Sequence, residues 1–516
     1  MRSNLSFDYE AKDLYRIEVT SRDAGLLPIV RQFDITINDL NTPGITAQPR
    51  YDLRIVADID NAIQSSNPES ALQLAGLNYF VASTPTFGKE MFRTDLTIGG
   101  TSVVKDLVTG TGDASPQSLT VFGNRIFFVA NYSYIDPIAP PGGPAITKYG
   151  LWKTDGTEVG TELVKDLGLF PMLPTSAKPM VVTNNLLLFF VGDNSSGEQL
   201  WATNGSAAGT QLIKTFNPGF APISTSIPTA NTGSLFYFNR NVDTLMGSHE
   251  LWRTDGTAAG TFLLRQSTGA PLGPSNTFDP SLVAVGNKVF FVSANFSEGL
   301  ELWKSDGSVA GTALFKDINF GPMGAAPTGM TNVNGTLYFS ADDGAVGREL
   351  WKSDGTTVGT VRVKDILTGT SFDSGISGDS ATSNFTSWNN KLYFVANNGI
   401  NGTELWTSDG TSTGTQMVFD AGIGSQSLWP SKLVPMSTQM LIVTSPFGLA
   451  GQQLWVTDGT STGTTVLSSS SGVSQSTSFF VAGYKAYFQG NQAATGNELG
   501  LVMEALLAPS SLRTLT

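Results

Sequence analysis

Seven tryptophans each stand three residues ahead of a turn acid or its amide. Trp152, Trp201, Trp252, Trp303, Trp351, Trp406 and Trp455 precede Asp155, Asn204, Asp255, Asp306, Asp354, Asp409 and Asp458. A repeated carboxylate could ligate a cation, carry a proton, or accept backbone N–H groups within a turn. Asn204 points to the third role, because an amide cannot ionise yet occupies the same place. The glycine after each acid strengthens that reading, since Asp-Gly is a turn dipeptide. A repeated indole could stack on sugars, but recurrence at one place in every copy points instead to packing between repeated units. The chain has one histidine, His249, and no cysteine. That rules out a disulfide framework and any cysteine nucleophile or cysteine metal site. No motif surrounds His249, so a Ser-His-Asp set or a histidine-bound zinc is not expected. No phosphate-binding or dinucleotide motif is present.

The elements that hold these residues can be read from the stretch Glu301 to Thr312, ELWKSDGSVAGT. Leu302 to Ser305 alternates apolar with polar, as a half-buried strand does. Asp306-Gly307 turns the chain, and Thr312 to Ile318 restarts a strand, so the motif is a β-hairpin. A lone hairpin is not stable in water. Each copy is preceded by a strand, an Asn/Gly turn and an apolar strand, as in Ser281 to Asn295 and Met330 to Asp342. One period, roughly 46 to 60 residues, is thus four antiparallel strands and a Pro/Gly-rich connection, the pattern of a propeller blade.

Nine such first-and-second strand pairs begin near residues 71, 117, 178, 225, 281, 328, 383, 431 and 478. The last copy has no fourth strand, and residues 51–58 form an orphan resembling one. The expected fold is all-β: a large propeller of four-stranded antiparallel blades, nine with eight as the alternative, closed by the N-terminal strand. Nine lies just beyond the common range of about four to eight blades. Closure would leave no open sheet edge. The expected layout is a small β segment over 1–43, a linker over 44–50, the propeller over 51–503 and a tail over 504–516.

The repeated motif, as in Glu349 to Thr356 and Glu404 to Thr411, resembles that of the bacterial ELWxxDGT repeat proteins. The resemblance covers about residues 51–503. It implies a large exported or surface β-repeat protein, often beside adhesin-type modules, with no defined catalytic activity. The hairpin is also similar to the Asp-box of sialidase propellers, which is structural there. Residues 1–43 resemble the C-terminal half of a cadherin-like domain, through Asp8-Tyr9-Glu10, Asp23-Ala24-Gly25 and Asn38 to Pro43. Carried over by position, Glu10, Asp23, Asp39 and Asn41 are the implied calcium ligands, and hard oxygen donors suit that ion.

Composition narrows the partners. A net charge of −13 opposes nucleic acid and anionic membranes. The longest apolar runs, such as Leu186 to Val191, are too short to span a bilayer. The N-terminus lacks a signal-peptide core, so an exported protein would be expected to be longer than this chain. Residues that break the repeat are the better binding candidates: Tyr132, Tyr134 and Asp136; Arg240, Asp243 and His249; Asp342 and Asp343; Asp193 and Asn194. They fall between second and third strands, in loops that gather on one ring face. The Lys-Asp pairs ending fourth strands (Lys105-Asp106, Lys165-Asp166, Lys316-Asp317, Lys364-Asp365) are expected to blunt an outer edge.

The function expected from the sequence is a non-catalytic binding and structural module of an exported surface or adhesin protein, extracellular, with calcium-dependent adhesion. Its partner would be a protein or glycan on a ring face. The alternative is a carbohydrate-active enzyme with paired carboxylates at the ring mouth.

Overall fold

In the stretch Lys288 to Asn295, KVFFVSAN, nearly every side chain is buried, which a strand achieves only when both its faces are covered. The same holds for the second strand of the other repeats, as in Leu77–Thr84 and Lys391–Asn397. Each therefore needs a neighbouring sheet on either side. The computed structural model describes residues 65–134 (position 98 excepted), 146–169, 180–193, 197–216, 228–243, 248–267, 279–368, 379–420 (position 381 excepted), 427–445, 453–468, 479–482, 485–492 and 496–503. It also describes three strands, Leu14–Ser21, Ile29–Thr36 and Asp52–Ala57.

The described residues form nine four-stranded antiparallel sheets and one two-stranded ribbon, with no helix. Sheets 1 to 8 occupy 69–103, 117–168, 181–216, 229–266, 282–316, 328–364, 383–419 and 430–468. In each, the strands lie in chain order. Sheet 9 uses Phe479–Ala482, Lys485–Gln492 and Gly496–Met503, and its fourth strand is Asp52–Ala57 from the other end of the chain. That strand runs antiparallel to the third, with Asp52 opposite Met503 and Ala57 opposite Leu499.

Apolar clusters lie between sheets rather than within them. Phe290, Leu302 and Phe315 of sheet 5 pack on Leu337, Phe339 and Trp351 of sheet 6. Sheets 1 and 2, 2 and 3, 3 and 4, 4 and 5, 6 and 7, and 7 and 8 share equivalent clusters. Tyr487 and Phe480 of sheet 9 pack on Phe80, Ala82 and Phe92 of sheet 1. The first strands of sheets 9 and 1 also lie beside each other.

By contact the chain divides into a unit over Asp52–Met503 and another over Met1–Tyr51 with Glu504–Thr516. In the second unit, Leu14–Ser21 pairs antiparallel with Ile29–Thr36, Leu14 opposite Thr36. Antiparallel order gives each sheet two ends. One end carries the first-to-second turn and the Asp-Gly turn; we call it the motif end. The other carries the second-to-third loop and the connection to the next sheet, the loop end.

Candidate functional site

At the motif end one hydrogen-bond network recurs. Asp155 Oδ1 accepts from the N–H and hydroxyl of Thr157, at 3.0 and 2.7 Å. Thr157 Oγ1 accepts from Gly160 N, and Thr161 donates its hydroxyl to Thr157 O. Thr154 Oγ1 accepts from Gly156 N and meets Thr161 Oγ1 at 2.7 Å. Asp255, Asp306, Asp354, Asp409 and Asp458 repeat the first pair of contacts. Asn204 does so through its amide oxygen, accepting from Ser206 N and Oγ. The hydroxyl and N–H of Thr157 hold the Asp155 carboxyl below its usual range. Oδ1 of each acid is engaged by two donors, and Asn204 makes the same contacts without a charge, so the turn acids position backbone.

The preceding sheet grips each of these turns. Arg93 donates to Gly156 O at 2.8 Å and Lys352 to Gly410 O at 2.8 Å. The Tyr338 hydroxyl would lie 2.5 Å from a Cβ on Gly410. The fourth-strand lysines behave likewise. Lys105 donates to Thr161 O, Lys316 to Thr357 O and Thr360 O, and Lys364 to Thr415 O. These lysines bridge to the next sheet instead of blunting an edge, because close stacking brings unpaired turn carbonyls within their reach. Lys148, not Lys165, pairs with Asp166, at 2.9 Å.

The tryptophans face the preceding sheet. Trp152, Trp303, Trp351 and Trp406 are buried; Trp201, Trp252 and Trp455 are half-buried. Each of Trp201, Trp252, Trp303, Trp351 and Trp406 sits 6.4 Å from a phenylalanine of its own second strand. The guanidinium of Arg265, from sheet 4, lies 3.4 Å over the ring of Trp303.

Among the described residues the loop end has no one network common to all the sheets, though one residue type recurs. The first letter of the motif is Glu in five described sheets: Glu90, Glu301, Glu349 and Glu404 are fully buried, and Glu250 is half-buried and paired with Arg240. The buried carboxylates hold the connections. Glu301 accepts from the N–H groups of Ile318, Asn319 and Ala325; Glu90 from Leu107 and Val108; Glu349 from Ile366 and Leu367; Glu404 from Leu428. Burial pushes Glu90 up to about 8 and Glu301 and Glu349 up to about 7, against the pull of those amides. The sequence reading gave these glutamates no role. The available signal was their spacing two residues before Trp, which puts both side chains on one strand face.

Most acids and bases singled out in the sequence serve the fold. Arg240 bridges Glu198 of sheet 3 and Glu250 of its own sheet, at 3.3 and 3.2 Å. Asp343 accepts from Ala345 N and pairs with Arg362 at 2.9 Å, while Asp342 accepts from Gly344 N. Tyr132 packs edge-on to Trp152, and Lys148 lies over the Tyr134 ring. Burial lowers His249 to about 4, so its imidazole is neutral near pH 7. Asp193 and Asp243 end their second strands. Asp136, Asn194 and the calcium candidates Glu10, Asp23, Asp39 and Asn41 lie outside the described residues. Among the described residues no three His, Cys, Asp or Glu side chains are placed to share a metal.

Large apolar side chains are exposed at the loop end of two sheets. Phe320 is 95% exposed, Phe296 70% and Met323 65%, all in sheet 5 and its connection, and Ile400 and Trp429 are exposed in and after sheet 7.

No family model matches the chain, and no curated protein matches it. Solved structures do. A puromycin hydrolase crystal structure is similar at 13% identity and a TM-score of 0.34, covering 84% of this chain and 60% of that one. A structure from a study of two prolyl endopeptidases follows at 11% and 0.36, covering 77% and 55%. A eukaryotic initiation factor structure matches at 9% and 0.45, covering 90% and 100%. The chain thus spans about 60% of the puromycin hydrolase's length. The expectation of a non-catalytic adhesin module is corrected here: of the three similar structures named, one is titled a hydrolase, one comes from a study of endopeptidases and one is an initiation factor, and none is an adhesin. At such identities they lend no activity and no residue role to this chain.

Proposed function

We propose that the nine sheets form a closed β-propeller of the ELWxxDGT type, and that its loop end takes a partner, protein or glycan. The contrast between the two ends carries this reading. The motif end repeats one saturated network of turns from sheet to sheet. Among the described residues the loop end does not repeat that network, and at sheets 5 and 7 it carries large exposed side chains beside connections pinned by buried glutamates. Variation on a rigid frame is where binding residues concentrate. Closure is supported by the packing of sheet 9 on sheet 1 and by the strand at 52–57 completing sheet 9.

The test is a footprint. After a screen of glycan and peptide arrays, hydrogen exchange with the best ligand should protect amides at 295–299, 317–324 and 397–402. The Asp-Gly turns should exchange unchanged. Protection confined to those turns would contradict the reading.

A further inference from the structure

Phe296, Phe320 and Met323 are exposed on two adjoining segments at the loop end of sheet 5. Phe296 tops the turn between Asn295 and Gly299, which face each other across the strands of sheet 5. A Cβ on Gly299 would lie 2.6 Å from Pro322 O and 2.9 Å from Met323 C, so the turn rests directly on the connection that bears Phe320 and Met323. Both pieces are tied down. Asn295 Oδ1 accepts from Ser297 N and Glu298 N, Gly324 N donates to Gly321 O, Ala326 N donates to Leu300 O, and Glu301 holds Ile318, Asn319 and Ala325. Exposed aromatic groups on fixed backbone lose little further freedom when covered, which is the condition for a binding anchor.

Four acids stand around this surface. Glu298 stands in the same turn and Asp317 begins the connection, with Asp342 and Asp343 on the neighbouring sheet. Burial and the nearby Glu298 raise the Asp317 carboxyl above its ordinary value. The cations close by already have partners on the chain, and Arg265 also feels the charge of Glu298. Arg265 lies over Trp303 and donates to Ser293 and to Ala294 O. Arg348 donates to Ala326 O and Ser340 O, Arg362 pairs with Asp343, and Lys316 points to the motif end of the next sheet. A second copy of this chain, itself at −13, would be repelled.

We propose that this surface docks a polypeptide segment that is both apolar and cationic, its side chains covering Phe296, Phe320 and Met323 and its Lys or Arg groups meeting Glu298 and Asp317. The proposal rests on the loop end being the binding end.

The experiment uses the whole chain and two labelled peptides of equal length, one of Leu and Lys and one of Leu and Glu, read by fluorescence anisotropy. The Lys peptide should bind, and the Glu peptide should bind at least about tenfold more weakly. Phe296→Ser with Phe320→Ser should weaken the Lys peptide about tenfold, and Glu298→Gln with Asp317→Asn about threefold, both at unchanged melting temperature. Val159→Ser with Val309→Ser and Val358→Ser, exposed at the motif end, should leave it within about twofold. Equal binding of the two peptides, or a neutral oligosaccharide lost with the Phe variant in place of the Lys peptide, overturns the partner class while leaving the loop end as the binding end. Binding lost with the Val variant and kept by the Phe variant overturns both.

Discussion

The glycine of the motif turn is constrained twice. Gly307 has a φ of +90°, where a side chain is strained, and a Cβ there would lie 2.5 Å from Leu235 Cδ1 and 2.7 Å from the Tyr237 hydroxyl of the preceding sheet. Its neighbour Asp306 needs only an acceptor oxygen, and Asn204 shows that an amide supplies one. Asp306→Asn should therefore change stability by no more than about 0.5 kcal/mol. Gly307→Val should cost at least about 2 kcal/mol, since a β-branched residue resists positive φ and meets the preceding sheet. Urea melts of the two variants check this; an Asn variant less stable than the Val variant would contradict it. The turn was legible in the sequence because Asp, Gly and Thr act within a few residues of one another. The second constraint on Gly307 was not, because Tyr237 lies in another sheet.

The buried glutamates act at the scale of the connections they fasten. Glu90, Glu301 and Glu349 have folded values of about 8, 7 and 7, raised by burial above the 4.5 of an unfolded chain. The folded state holds these protons more tightly, so the stability they give is complete below about pH 4.5 and is lost as pH rises through 7 to 8. Thermal melts from pH 5 to 9 should show Tm falling most steeply between about pH 5 and 7 and levelling off above about pH 8; a Tm that rises between about pH 5 and 7 would contradict the assignment. The order of strands within each sheet was readable because it follows chain order and alternation. The glutamate latches were not, because Glu301 meets amides at Ile318, Asn319 and Ala325, in a connection with no pattern of its own. The fourth-strand lysines were misread for a similar reason: Lys316 and Lys364 end on carbonyls of the following sheet. Exposure of Phe296 and Phe320 was equally hidden, since Phe is usually a core residue.

At the scale of the molecule, the count of strands read from the repeats requires one from the far end of the chain, and Asp52–Ala57 occupies that place beside Gly496–Met503. In the closed propeller proposed here, both ends of the ring must be fixed for the loop end to present one surface. The ligand was not readable at this scale: the repeat specifies the frame, and the loops that differ carry no motif. The deciding measurement compares two deletions by thermal melting and sedimentation. Removing residues 1–43 should leave a monomer with a nearly unchanged melt. Removing residues 44–60 should leave sheet 9 with an unpaired edge, lower the melting temperature by several degrees and promote aggregation. If the two deletions melt alike and both remain monomeric, the ring is not closed by this strand and the account fails.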